Sequence, residues 1–271
     1  MGNADSNESV SYTRPRALPG VELMTARGSS HHWRVFHEQY AICANDIVAA
    51  DIRYRNNSHA ICDRSISLFE PGETHETHRV ARPQDFQVLF LTADTMQKFS
   101  EEMGIAGQPH FKPVPEINEQ LYSSFKHLHA AIINNAPAIE QQSLLAECVA
   151  MLLVNHAEKQ VPPILDSGKQ PLLRAREYLH DQYARSVSLD EIAAIAGLSR
   201  FHFLKVFSAH FGLPPHIYQI CLRIERSLPL LRQGISTPQV AETLGFYDQS
   251  HFIRHFKRTM GITPGLYQGK P

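Results

Sequence analysis

The 271-residue chain has little cysteine, one tryptophan and no long apolar run, and these shortages exclude several readings. Its four cysteines, Cys43, Cys62, Cys148 and Cys221, are scattered without a Cys-x-x-Cys pair. Such spacing suits neither a zinc cluster nor a disulfide framework. The expectation is buried thiols in a reducing cytosol, and so a cytoplasmic location. No apolar run reaches the ~20 residues needed to span a bilayer. The first twenty residues lack the apolar stretch of a secretory signal. Residues 1–20 are expected to be a polar, disordered arm. Net charge is also nearly absent, at −1, but this hides an asymmetry. Residues 171–271 hold 12 Lys and Arg against 7 Asp and Glu, while the remainder holds 14 against 20. A basic block beside an acidic one is the pattern of a DNA-binding module joined to a module that does not bind DNA.

What the chain does have is a segment that occurs twice. Ile192, Ala193, Gly197 and Leu198 match Val240, Ala241, Gly245 and Phe246 at an offset of 48. His202, Phe203, Phe207, Gly212, Pro215 and Tyr218 match His251, Phe252, Phe256, Gly261, Pro264 and Tyr267 at an offset of 49. Each copy reads as a short apolar helix, a turn at glycine and a second helix stopped by Gly-x-x-Pro. That is a helix-turn-helix unit, and two in one chain suit two adjacent major grooves. Ser188 with Glu191 reads as a capping box opening the first unit.

In the first copy Phe203, Val206, Phe207 and His210 recur at helical spacing and are expected inside. The opposite face carries Arg200, Phe201, Leu204 and Lys205. In the second copy Phe252 and Phe256 are inside, and the outer face carries Gln249, Ser250, His251, Ile253, Arg254 and Lys257. Arg and Gln suit bidentate recognition of guanine and adenine edges, Lys205 can reach guanine or phosphate, and Phe201 and Leu204 can only touch thymine methyls. The second helix therefore reads as the more sequence-specific.

Upstream the pattern changes. Residues 21–115 are β-rich: Tyr40–Val48, Ile52–Arg55 and His59–Cys62 around a turn at Asn56-Asn57, Ile66–Phe69, and Phe86–Leu91 fit a jelly-roll or barrel. Residues 116–160 read as two antiparallel helices broken at Asn134–Pro137. Their stripes are Leu121, Phe125, Leu128, Ile132 and Ile133, then Leu144, Leu145, Cys148, Met151, Leu152 and Asn155. One face is expected on the barrel; the other is a candidate homodimer surface. Residues 161–170 are a linker, and residues 171–271 are helical. Pro229, inside the helix that joins the two repeats, is expected to bend it.

The frame GLSRFHFLKVFSAHFGLPPHIY, followed by GFYDQSHFIRHFKRTMGITPGLYQ, resembles the DNA-binding domain of the AraC/XylS family of bacterial transcription regulators. PGETH at Pro71–His75, with RYRNNSH before it, more loosely resembles that family's cupin-like effector-binding domain. The resemblance implies an α+β chain and an effector-responsive activator. Its implied partners are promoter DNA, a small-molecule effector and RNA polymerase. By matching positions it implies base contacts from Phe201, Leu204, Lys205, Gln249, Ser250, His251 and Arg254.

Histidines crowd the first half: His31, His32, His37, His59, His75 and His78. A metal-dependent cupin needs a His-x-His pair, a Glu and a later His. That pair is missing, because His31 and His32 are adjacent and would face opposite sides of a strand. The expectation is no metal and no cofactor. A pocket lined by Trp33, Tyr40, Tyr54, Phe69, Glu70 and His75 would suit a polar organic effector. Two other classes stand beside this one. One is an effector-independent DNA-binding protein whose barrel only dimerises. The other is an enzyme, either a cupin oxygenase, which lacks ligands here, or a repair methyltransferase, which needs a clustered reactive cysteine.

Overall fold

A computed structural model describes residues 8–55, 57–105, 107–111, 117–158 and 170–269. The chain divides into two compact units, residues 1–32 with 36–161, and residues 162–271 with 33–35. Asn56 of the expected turn and most of the linker fall outside the described residues.

The first unit is sheet-rich. Its larger sheet orders the strands Ser9–Thr13, Val21–Ser29, Gln84–Leu91, Tyr40–Ile47 and Ser65–Phe69, all antiparallel. In a smaller sheet, Ala50–Tyr54 pairs with both Asn57–Ile61 and His75–Val80. Alternate residues explain why the central strands are apolar throughout. Tyr40, Ile42, Ala44, Ile66, Leu68, Leu89 and Leu91 turn to one side and form one core with the helices. On the other side Phe69 meets the smaller sheet, stacked on His75 at 3.9 Å and edge-on to Tyr54 at 5.2 Å.

The expected disordered arm is corrected in part. Ser9–Thr13 forms an edge strand whose register pairs Ser9 with Arg27 and Thr13 with Leu23. Only five residues long and mostly polar, it carries too little apolar signal to be read alone. His31 and His32 lie in irregular chain rather than on a strand. Longer elements that the sequence pattern does not announce include the strands Val21–Ser29 and His75–Val80 and helix α1 (Ala93–Glu102), capped by Thr92.

Helices α2 (Glu119–Ile133) and α3 (Ala138–His156) pack on each other and on the larger sheet. Leu121, Phe125, Leu128 and Ile132 are buried as their spacing requires, whereas Ile133 and Asn155 are exposed. A polar pin joins α2 to the sheet. Lys126 Nζ lies 2.7 Å from Asp46 Oδ2 and 2.7 Å from Gln87 Oε1, and the Tyr122 hydroxyl donates to Asp46 Oδ1 at 2.6 Å.

The second unit is helical: α4 (Gln170–Asp181), α5 (Leu189–Ala196), α6 (Arg200–Phe211), α7 (Pro215–Arg232), α8 (Thr237–Thr243), α9 (Gln249–Met260) and α10 (Pro264–Tyr267). Helix α7 runs as one element through Pro229. Among the described residues no single helix is long and apolar enough to cross a membrane.

Burial pushes the Asp46 carboxyl up, but the bonds from Lys126, Tyr122 and Gln87 outweigh it and hold the pKa below its ordinary value. A depressed carboxyl contributes stability that is present at neutral pH and lost as pH falls through the folded-state pKa. Asp46→Asn should therefore melt below the wild type at pH 7, and the two should converge as pH falls below about 4. Melting curves at a series of pH values test this; a pH-independent gap would contradict it.

Candidate nucleic-acid interface

Two reading heads build the second unit. In the first, the Ser188 hydroxyl accepts from the Glu191 N–H at 3.1 Å and starts α5. The Glu191 side chain does not close the box; its carboxylate takes the Tyr178 hydroxyl and Arg185 instead. Gly197, at φ 67°, ends α5 in the left-handed region, and Ser199 opens α6. Phe203 and Phe207 are fully buried, with ring centroids 5.2 Å apart. Val206 is half-buried, and His210, expected inside, is exposed. Phe211 takes the inner position instead, 4.6 Å from Phe207. In the second head Gly245, at φ 72°, turns the chain. The Asp248 carboxylate caps α9 by accepting from the His251 N–H at 2.6 Å. Phe252 and Phe256 fill the same inner positions.

The inward phenylalanines fix which residues face outward. On α6, Arg200, Phe201, Leu204 and Lys205 are all exposed, Phe201 to 83%. Arg200 is held by Asp190 on α5, with Nε 3.0 Å from Oδ1. On α9, Gln249, Ser250, Arg254 and Lys257 are exposed, while His251 and Ile253 are half-buried. The His251 ring lies edge-on to Phe246 at 5.7 Å and to His255 at 4.6 Å. Burial, with His251, Arg254 and Arg258 nearby, lowers His255 to about 4, so it is neutral at physiological pH. Tyr247, just before the α9 cap, is 91% exposed. The sequence reading passed over it because it lies in the turn and outside the helical face.

Between the heads sits a buried arginine. Arg223 of α7 donates from Nε to Tyr183 O at 2.6 Å, from Nη2 to Arg185 O at 3.0 Å and from Nη1 to Gly245 O at 2.6 Å. Its guanidinium also lies 5.6 Å from the Phe246 ring centroid. Burial holds its pKa below the usual guanidinium range, from so high a start that it stays charged.

In the first unit Tyr40, Tyr54, Phe69, Glu70 and His75 are all buried; the structure brings Tyr54, Phe69, Glu70 and His75 together, while Tyr40 packs on Phe111 in the core shared with the helices. Trp33 groups with the other unit. Glu70 is occupied by the protein itself. Its Oε1 meets Arg55 Nη2 at 2.7 Å and accepts from the Phe111 N–H at 2.6 Å, and its Oε2 meets His110 Nδ1 at 2.9 Å. The Tyr54 hydroxyl goes to Glu73 and the Tyr40 hydroxyl to Pro109 O at 3.1 Å. His75 differs: its buried Nδ1 has no protein partner. Burial, with His37 at 5.3 Å, lowers its pKa well below the ordinary histidine value. Arg55 and His110, which organise this region, went unnamed because nothing in the chain marks them as neighbours of Glu70. Among the described residues no group of three or more His, Cys, Asp or Glu could hold a metal ion. Cys62 is exposed, contrary to expectation, and the other cysteines are buried. Burial raises the Cys148 and Cys221 thiols to about 12, the opposite of a reactive thiolate.

Comparison with known proteins agrees with this geometry. A family model described as "Helix-turn-helix domain" matches residues 192–270. An uncharacterized HTH-type transcriptional regulator of Bacillus subtilis, YbfI, is 26% identical over 80% of this chain and 79% of its own length. The transcriptional activator NphR of a Rhodococcus species is 40% identical, but over only 33% of this chain and 26% of its own length. An apo ToxT variant from Vibrio cholerae has a similar fold, with TM-score 0.57 at 15% identity over 93% of this chain and 98% of that one. Residues 192–270 thus form a helix-turn-helix DNA-binding domain of the AraC type, and over most of its length the chain is similar to HTH-type transcription regulators.

Proposed function

We propose that this regulator reads promoter DNA with two unequal recognition helices and responds to a small organic effector held in its sheet-rich unit. The observation that carries the reading is the pair of helices α6 and α9. Each turns two phenylalanines into its own core and a cationic or polar face to solvent. Arg200, Phe201, Leu204 and Lys205 are the contacts of the first head, and Gln249, Ser250, His251, Arg254 and Lys257 those of the second. Arg200, already paired with Asp190, suits phosphate positioning more than base reading. The protein works in the cytoplasm, with RNA polymerase as a partner and no catalytic activity. Exposed Ile139 and Val154 on α3 support a homodimer surface there.

For the effector, ToxT has been crystallised bound to an unsaturated fatty acid. His75 offers the buried, unpartnered ring nitrogen that a ligand hydrogen bond would satisfy, and Phe69, stacked on it, with Tyr54 beside Phe69, supplies aromatic surface. Glu70 shapes this region through Arg55 and does not itself contact the ligand.

Binding to DNA should weaken by about 10³–10⁵ between 50 and 200 mM salt if 6–10 phosphates are contacted. A flat salt response would sink the reading. Arg254→Ala should cost about 1–3 kcal/mol on the preferred site and flatten preference at one or two base pairs. Lys205→Ala should weaken preferred and scrambled sites alike. Titrations on single-base variants of the preferred site decide; the reverse pattern exchanges the roles of the two helices.

A metabolite panel screened by thermal shift should yield a ligand that stabilises the wild type by about 2.7 kcal/mol at a hundredfold excess over Kd. His75→Phe keeps an aromatic ring beside Phe69 and should abolish that shift. A shift unchanged in His75→Phe would place the ligand elsewhere. DNA binding indifferent to every ligand would favour the effector-independent reading.

A further inference from the structure

We propose that Arg223 and Gly245 are positioning residues that fix the separation and angle of the two recognition helices, and hence the half-site spacing the protein accepts. The proposal rests on both heads reading DNA. It concerns what makes them act as one rigid ruler.

A joining helix alone does not do this. Helix α7 has 18 residues and so spans about 27 Å, a length that by itself leaves the angle between the heads open. Pro229 also removes a backbone hydrogen bond near one end. The Arg223 fork supplies the missing constraint. Tyr183 and Arg185 lie in the loop that leads from α4 into α5 of the first head. Gly245 lies in the turn that leads from α8 into α9 of the second. One planar, rigid guanidinium binds carbonyls from both. Those carbonyls converge with their negative ends together, which only a cation between them makes favourable. Gln219, one helical turn earlier on α7, donates to Arg185 O at 2.8 Å and Tyr183 O at 3.2 Å and steadies the same loop.

The two repeat glycines separate docking from turning. Gly197 and Gly245 occupy matching positions, with φ 67° and 72°. Around Gly197 a Cβ would meet nothing within 4 Å. At Gly245 a Cβ would stand 1.7 Å from Ala184 O, a backbone atom in the α4–α5 loop of the other head. Turning the chain explains the positive φ of both. Only close approach of the two heads explains the second glycine's lack of room.

The test is selection from a random-sequence duplex library by the full chain, sequenced for half-site motifs and the distance between them. The wild type should enrich two motifs at one dominant spacing, near one helical turn of DNA, about 10 bp. Arg223→Lys keeps the charge but cannot bridge three carbonyls, and Gly245→Ala pushes the heads apart. Both should keep the two motifs and spread their spacing, with affinity for the wild-type spacing down about tenfold because rigid linkage is lost. Gly197→Ala carries similar backbone strain without the clash and should keep the single spacing. Gln219→Ala, the mildest change, should broaden the spacing partially and serves should the other two fail to fold. Unchanged spacing in folded Arg223→Lys, Gly245→Ala or Gln219→Ala overturns the proposal. So does a spread in Gly197→Ala equal to that in Gly245→Ala, or a wild type that enriches one motif alone. No enrichment by the wild type overturns the DNA-reading assignment itself, and the proposal with it.

Discussion

A helix-turn-helix of two short helices cannot enclose a core of its own, and this dependence on α7 governs the second unit. α5 has 8 residues and α8 has 7, too few to bury both faces of a phenylalanine pair. α7 makes up the deficit for both heads. Tyr218, near its start, meets Phe207 edge-on at 5.7 Å and Phe211 at 5.8 Å. Near its end, Leu231 is buried and Arg232 Nε bonds the Tyr267 hydroxyl at 3.2 Å. Tyr267 in turn packs on Phe256 at 5.7 Å. Tyr218 and Tyr267 are repeat partners, so the same ring serves both heads, once from within α7 and once from a short helix folded against its far end. α7 is therefore the inner wall of two cores, and a change of its orientation moves both reading helices.

The repeat made this half of the fold legible, because the same spacing of glycine, phenylalanine and proline twice in one chain leaves few other structures. It also set the inner faces of α6 and α9, and with them which cations point outward. What it hid is the difference between the copies. Gly197 and Gly245 look alike in sequence, and nothing local says that one has a neighbouring carbonyl against it. Arg223 was hidden for a related reason. Arginine on a helix is ordinarily an exposed residue, and its three acceptors lie far apart in sequence. His210 was misplaced because helical spacing alone could not say whether the last turn buries it or Phe211.

The sheet-rich unit was legible in class but not in its polar interior. Alternation gave the central strands, and the apolar stripes gave α2 and α3. A carboxylate and an imidazole near aromatic residues suggested a ligand site, but sequence cannot tell a polar group awaiting a ligand from one already satisfied. The structure shows which of these groups the protein itself satisfies. Glu70 and Asp46 each gather several donors from distant strands and helices, so their charges are consumed in holding elements together. His75 lies among the same aromatics yet keeps a bare ring nitrogen. An unpaired buried acceptor or donor costs about 1–3 kcal/mol, which a structural pin would not leave standing.

The same distinction bears on the face that reads DNA. An exposed charge is ordinary, but an aromatic ring open to water beside a helix that already buries two or three others is not required by the fold. Phe201 and Tyr247 are both in this position, one at the start of α6 and one just before α9. Neither packs into its own head, and hiding such a ring from water is normally favourable by about 1.5–3 kcal/mol. Both stand where the chain enters a recognition helix, the end that a helix-turn-helix turns to base edges. The stability each head forgoes by leaving a ring in solvent is recovered only when apolar surface, such as a thymine methyl, covers it. In the proposed reading, sequence preference in the first head, which has few hydrogen-bonding side chains, rests on shape and methyl contact as much as on charge.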